Sequence, residues 1–215
     1  MASNEAPARR AEALRASPRM FDSNFLDFFS RVHWSVPLIV FVPFIGFLVV
    51  HSLIHLAVWA VAALALGGFF FWTLTEYWLH RLVFHWEVDH PIGKRLHWII
   101  HGVHHDHPND PLRLVMPPSV SIPLATLFLY LFYLVLGAPA CFAFAIGFYI
   151  GYLFYDMTHY HVHHHRPKTA AGRRLREAHM RHHFQDHTTG FGVSMPLWDH
   201  VFRTVPKQRP TRATD

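Results

Sequence analysis

At 215 residues the chain fits a single domain, and a 52% hydrophobic content is too apolar for an ordinary soluble protein of that size. The net charge of +5 requires no nucleic acid, because the basic residues flank apolar runs where acidic lipid headgroups account for them. A lone cysteine, Cys141, sits inside an apolar run, which excludes a disulfide framework or a cysteine-type zinc site and leaves packing as its expected role.

Residues 1–33, rich in Ala, Arg and Pro, are too polar and too long for a cleaved secretory signal, and are expected to form a loosely ordered or interfacial cytosolic lead-in. From Trp34 to Leu79 the only formally charged side chain is Glu76, so this stretch holds two helices at about 20 residues per crossing. The expected spans are about 34–51 and 56–78, with a turn near His51 to His55. A second uncharged run, Val120 to Tyr155, is divided by Gly137-Ala138-Pro139 into spans of about 120–137 and 139–157. The fold expected over 34–215 is therefore an all-α integral membrane domain. It has four transmembrane helices in two hairpins and a helical cap on one side.

Five Lys and Arg precede the first span, four lie between the hairpins and ten follow the last, and none falls in either hairpin turn. With an even number of crossings all three groups share one face. The positive-inside rule makes that face, and both termini, cytoplasmic in a bacterial inner membrane or an endoplasmic reticulum.

Of 21 histidines, all but His33, His51 and His55 lie from His80 onward, outside the middles of the expected spans. His80 and His85 form an HxxxxH pair, and His159 and His163 an HxxxH pair. His101, His104 and His105 form an HxxHH triplet, and so do His179, His182 and His183. On a helix, positions i, i+3 and i+4 share one face, so each triplet is expected to aim three imidazoles at one place. The HxxxxH pair fits a regular helix poorly, because i+5 turns about 140° away; either its members serve different metals or the helix breaks between them. His161 with His164 or His165 has helical ligand spacing too. Beyond the ten, His90, His97, His107, His161, His164, His165, His187 and His200 are expected to face solvent, headgroups or the ligands' outer surroundings. Four to six donors complete most transition-metal spheres, so ten imidazoles imply two ions. Glu76, four residues before His80, and Asp156, three before His159, stand where a carboxylate can accept the free N–H of a ligand, with Tyr155 beside Asp156.

HRLVFH, HGVHH, THYHVHH and HMRHH, together with RLVMPP (113–118) and GFGVSMPLWDHVF (190–202), resemble the fatty acid hydroxylase superfamily of membrane di-iron enzymes, and within it the fatty acid 2-hydroxylases. The likeness covers about residues 80–204 and the boxes at 80–105 and 159–183. It implies that the box histidines hold two iron ions on a cytosolic cap and that the reaction is an oxygen-dependent hydroxylation of a lipid. Zinc binds imidazole sites more tightly than Fe(II) and is expected to replace it in some purified samples. Eukaryotic members often carry an N-terminal cytochrome b5 domain, which this sequence lacks.

Three functions compete on the sequence: hydroxylation of a fatty acyl chain; desaturation or oxidation of a sterol, carotenoid or alkane at the same kind of centre; and metal transport. A transporter wants polar ligands near the bilayer midplane, where these spans offer almost none. A centre at the helix ends lies at headgroup depth, beside C2 of an acyl chain, which favours 2-hydroxylation. The expected partners are the acyl lipid, dioxygen and membrane lipids. No GxGxxG fingerprint for a nicotinamide or flavin is present, so a separate electron donor of cytochrome b5 or ferredoxin type, with its reductase, is expected.

Overall fold

The computed structural model describes residues 5–207, and among these every regular element is helical. In chain order they are α1 (Glu5–Arg15), α2 (Asn24–Phe29), α3 (Val36–His55), α4 (Val58–Trp78), a π-helical turn π1 (Leu79–Phe84), α5 (Pro91–His97), a second π-helical turn π2 (Trp98–Gly102), α6 (Val103–Asp106), α7 (Pro118–Leu136), α8 (Ala140–His164), α9 (Ala170–Phe184) and α10 (Leu197–Val201). Four stretches are long and apolar enough to cross a membrane: α3, α4 with π1, α7 and α8. Each overlaps one of the expected spans, with ends shifted by one to several residues. The first helix runs on through His55, whose Nδ1–H donates to the His51 carbonyl at 2.8 Å, so the turn lies at Leu56 and Ala57, beyond the expected position. Gly137, at φ 66°, ends α7 where the break was expected.

Lipid provides no hydrophobic drive between helices, so their packing depends on close fit. Helix α8 is the one most enclosed by protein, while α3, α4 and α7 turn Ile39, Phe47, Leu66, Phe70, Leu134 and Val135 outward. The contact between α4 and α8 is made at glycines. A Cβ on Gly68 would overlap the Phe144 carbonyl, and one on Gly147 the Ala65 carbonyl, so no larger residue admits this approach. Phe41, Trp72, Phe132, Phe148, Tyr149 and Tyr152 fill the remaining core around the fully buried Cys141.

The lead-in is helical at α1 and α2 and is tied to the segment before α7. Asp27 in α2 accepts from Met20 N at 2.7 Å and pairs with Arg31 at 3.1 Å and Arg113 at 3.4 Å. Val32 N donates to the Leu112 carbonyl, and Asn109 N to that of Leu14. These links fold α2 over the chain that joins the histidines of α6 to α7. That is how the lead-in comes to form part of a cavity beside the site.

Candidate metal centre

All four histidine motifs meet at the C-terminal ends of α4 and α8. Two groups result, each with five ring nitrogens within 4.8 Å of one another: His80, His85, His101, His105 and His182 in the first, and His104, His159, His163, His179 and His183 in the second. These are the ten residues of the four motifs, and the register that spacing left open between His159 and His165 falls to His159 and His163. His161 stacks on His165 and belongs to neither group, and His164 also stays outside.

How the motifs are shared out departs from the expectation. His80 and His85 lie in one group because π1 replaces a regular turn: His85 N donates to the His80 carbonyl at 3.3 Å, and the wider turn returns position i+5 to the face of i. Neither HxxHH triplet points at one place. His101 and His105 enter the first group while His104 enters the second; His179 and His183 enter the second while His182 enters the first. The i+3 and i+4 positions of a helix are about 100° apart, enough to straddle two centres. Each triplet thus gives its i, i+4 pair to one centre and its i+3 residue to the other, in reciprocal fashion, which interlocks the segments.

Inside the first group, Nε2 atoms face one another at 3.2 Å for His80 and His101, 3.1 Å for His101 and His105, and 3.0 Å for His85 and His182. In the second the separations are 3.0 Å for His104 and His159, 2.8 Å for His163 and His179, and 3.1 Å for His179 and His183. His80 Nδ1–H donates to the Phe191 carbonyl at 2.8 Å and His182 Nδ1–H to that of Thr189 at 2.7 Å, which leaves their Nε2 lone pairs directed inward. Five convergent imidazoles per centre, without thiolate, suit a divalent transition ion, iron or zinc among them.

Burial, reinforced by the surrounding imidazoles, holds these rings neutral. The pKa is pushed down to about 3 at His85, about 3 at His104 and about 2 at His105, while at His182 burial pushes it down to about 4. His101, His179 and His183 fall well below the ordinary histidine value for the same reason. Lone pairs are therefore available to a cation at neutral pH. The unfolded chain takes up protons near 6.5 while the folded one resists down to about 3, so stability present above pH 6.5 is lost as pH falls through that window. Metal-free protein in detergent is expected to melt at a lower temperature at pH 5 than at pH 7, and an unchanged melting temperature would contradict neutral burial.

The bracing groups also differ from those expected. Glu76 is buried but bonds no histidine; it accepts from Ser194 N at 2.8 Å and from the Ser194 hydroxyl. Asp156 Oδ2 and His159 Nδ1 are both buried without a hydrogen-bond partner among the described residues, so this carboxylate does not hold His159. Side chains lean toward a helix's N-terminus, and Asp156 accordingly lies in the wall of a cavity one turn deeper. Tyr155 lines the same cavity, its ring 5.6 Å from that of His159.

Two of the histidines, His80 and His182, are steadied instead by the 189–194 loop, whose Phe191 and Thr189 carbonyls accept their protons. Asp199 holds that loop, accepting from Phe191 N at 2.9 Å and Gly192 N at 2.8 Å. Gly190 adopts φ 76°, a conformation other residues rarely reach. Gly-Phe-Gly followed by an aspartate was the sequence signal available for this loop.

The cavity, about 530 Å³, reaches His101, His104 and His159 and is walled mainly by apolar side chains, among them Phe25, Phe29, Phe84, Ile100, Val115 and Val120. It has the size and polarity of a small-molecule site.

The fatty acid hydroxylase family model matches residues 65–204. A dihydroceramide fatty acyl 2-hydroxylase of Arabidopsis thaliana is 36% identical over 93% of this chain and 85% of its own length. A fatty acid 2-hydroxylase of Rattus norvegicus is 34% identical over 87% of this chain and 56% of its own length. A solved structure of full-length scs7p, in which only the hydroxylase domain is visible, superposes with a TM-score of 0.80 at 32% identity, covering 88% of this chain and 73% of that one. The family match includes all ten convergent histidines and the loop that steadies two of them, and the chain belongs to the fatty acid hydroxylase family.

Proposed function

We propose that this integral membrane enzyme inserts one oxygen atom of dioxygen at C2 of a fatty acyl chain, the second leaving as water with two protons and two electrons from a separate donor. The observation that carries the reading is the apolar cavity that ends on histidines of both groups. Its wall runs from α2 to the start of α7, and on this reading an acyl chain lies in it with its carboxyl-proximal carbons at the histidine end. Similar proteins named as dihydroceramide and ceramide hydroxylases support an amide-linked acyl lipid as the substrate class.

Two iron ions held by the ten histidines would supply the redox and oxygen chemistry that side chains lack. The chain's own part is to keep the imidazoles neutral, fix the direction of His80 and His182 through the Phe191 and Thr189 carbonyls, and exclude water from the cavity by its apolar wall. Asp156 and Tyr155 act, on this reading, from that wall, and Glu76 through Ser194. The histidine end of the bundle faces the cytoplasm, where all 19 Lys and Arg lie outside the apolar runs and attract a small acidic carrier of cytochrome b5 or ferredoxin type.

Lipid mass spectrometry of an expressing host is expected to show a new hydroxyl at C2; a mid-chain hydroxyl or a new double bond would defeat the proposal. In liposomes with an acyl substrate, sustained turnover is expected to require the carrier and its reductase. It should weaken as salt shortens the screening length to about 8 Å or less. Many turnovers with NAD(P)H and the purified chain alone would exclude the separate donor.

A further inference from the structure

The two histidine groups can be reached from opposite sides, and the two sides differ in polarity. The acyl cavity meets His101, His104 and His159 across a largely apolar wall. A second concavity, a groove of about 670 Å³, has His85 and His105 at its end and Glu87, Asp89, Asp106 and His187 along it. Lys94 also lines this groove and pairs with Asp89 at 2.6 Å, and Asp106 Oδ2 accepts from Trp98 Nε1 at 2.9 Å. Three carboxylates against one ammonium leave the groove net negative.

Its side chains form a path from water to the first histidine group. Glu87 and His187 are well exposed, and Glu87 Oε1 stands 4.0 Å from His187 Nε2. The His187 ring stacks on that of His85, centroids 5.9 Å apart and planes at 15°. His85 and His105 are the two half-buried members of an otherwise buried first group, whereas the second group has only His183 half-buried.

A hydrated dication cannot cross an apolar wall without losing its water at large cost, and an acyl chain occupies that side during turnover. A net-negative groove concentrates cations and shortens their search. Resting on the reading of the two groups as metal centres, we propose that this groove is the loading vestibule for the metal. A divalent cation is captured by Glu87 and His187, passed to His85, and delivered into the first group, whose ion exchanges ahead of the ion in the second.

The path residues differ from ligands in what they change. A group that lies only on the route alters the rates of entry and exit equally and leaves the final affinity untouched. Metal-free full-length protein in nanodiscs is mixed with Co²⁺, whose absorption reports coordination by imidazole, and release is followed with a chelator. Wild type is expected to take up two ions in two phases. In Glu87→Gln/His187→Gln the fast phase should slow about tenfold at low salt, roughly the effect in water of removing one unit charge a few ångströms from a dication. Release from that centre should slow by the same factor, with two ions still bound at the end and affinity unchanged. Glu87→Asp should restore most of the rate.

Uptake by the double variant at the wild-type rate overturns the vestibule while leaving the centres in place. So does a changed affinity with an unchanged rate. Wild-type protein that holds fewer than two ions, or His101→Ala and His104→Ala variants that still hold two, would refute the metal-centre reading, and the vestibule with it.

Discussion

Alanine at His104, His105, His182 or His183 is expected to abolish hydroxylation, whereas alanine at His90, His187 or His200 leaves the loaded enzyme within a few-fold of wild type. The difference follows from where these rings lie. The first four face other ring nitrogens in the two convergent groups, and His104 and His182 are the members that cross from one triplet to the other's centre. Removing His104 takes one of five donors from the second group and deprives His159 Nε2 of its neighbour at 3.0 Å. If each group held one ion, as proposed, the two would supply the oxygen chemistry together, and loss of one donor would act on the pair. The expected fall therefore exceeds the roughly 10- to 100-fold cost of losing an outer partner. His90 only caps α5, accepting from Ile92 N at 3.3 Å, His187 stands in the groove and His200 is exposed. Product analysis together with metal content per chain decides the matter. Equal losses in both sets would show that the centres have been drawn around the wrong residues.

Hydropathy located the four apolar helices because lipid constrains length and polarity over a whole segment, and that signal does not depend on neighbours. Spacing pointed to the two triplets because i, i+3 and i+4 rows survive in any helical setting, but it left the HxxxxH pair awkward and the register within His159 to His165 open. What spacing could not supply is which centre each ring joins. A ruler of 3.6 residues per turn separates His80 from His85, and only a π-helical turn, which the surrounding packing selects, reunites them. The division of His101 and His105 from His104 depends on two centres standing side by side, a property of the assembled bundle. Bracing was illegible for a related reason. Glu76 and Asp156 are near the ligands along the chain, but the carbonyls that take the histidine protons come from Phe191, 111 residues beyond His80, and from Thr189, seven residues beyond His182. A backbone carbonyl is present at every residue and leaves no mark in a sequence.

The loop anchor yields the second large effect expected. Asp199 Oδ1 accepts from Phe191 N at 2.9 Å and from the Thr204 hydroxyl at 2.8 Å, and Oδ2 accepts from Gly192 N at 2.8 Å. Thr204 Oγ1 in turn lies 3.0 Å from the Tyr77 hydroxyl, and Gly190 N donates to the Thr204 carbonyl, so one carboxylate ties the loop to α4. Asp199→Ala leaves two backbone N–H groups without their acceptor in a buried place, at about 1–3 kcal/mol each, and frees the loop to move. The Phe191 and Thr189 carbonyls then no longer hold His80 and His182 in one tautomer and direction. Metal affinity is expected to fall about 10- to 100-fold, with turnover falling alongside and helical content retained. Asp199→Asn should be intermediate, because an amide nitrogen turned toward either N–H sets donor against donor. Glu76→Ala should act in the same sense through Ser194. Asp156→Ala, which removes no partner from any histidine, should keep both ions. Chelator competition with circular dichroism on the same samples tests the series. Full metal affinity in a folded Asp199→Ala protein would show that the loop carbonyls do not position the ligands, and loss of metal in Asp156→Ala would return the bracing role to the carboxylate on α8.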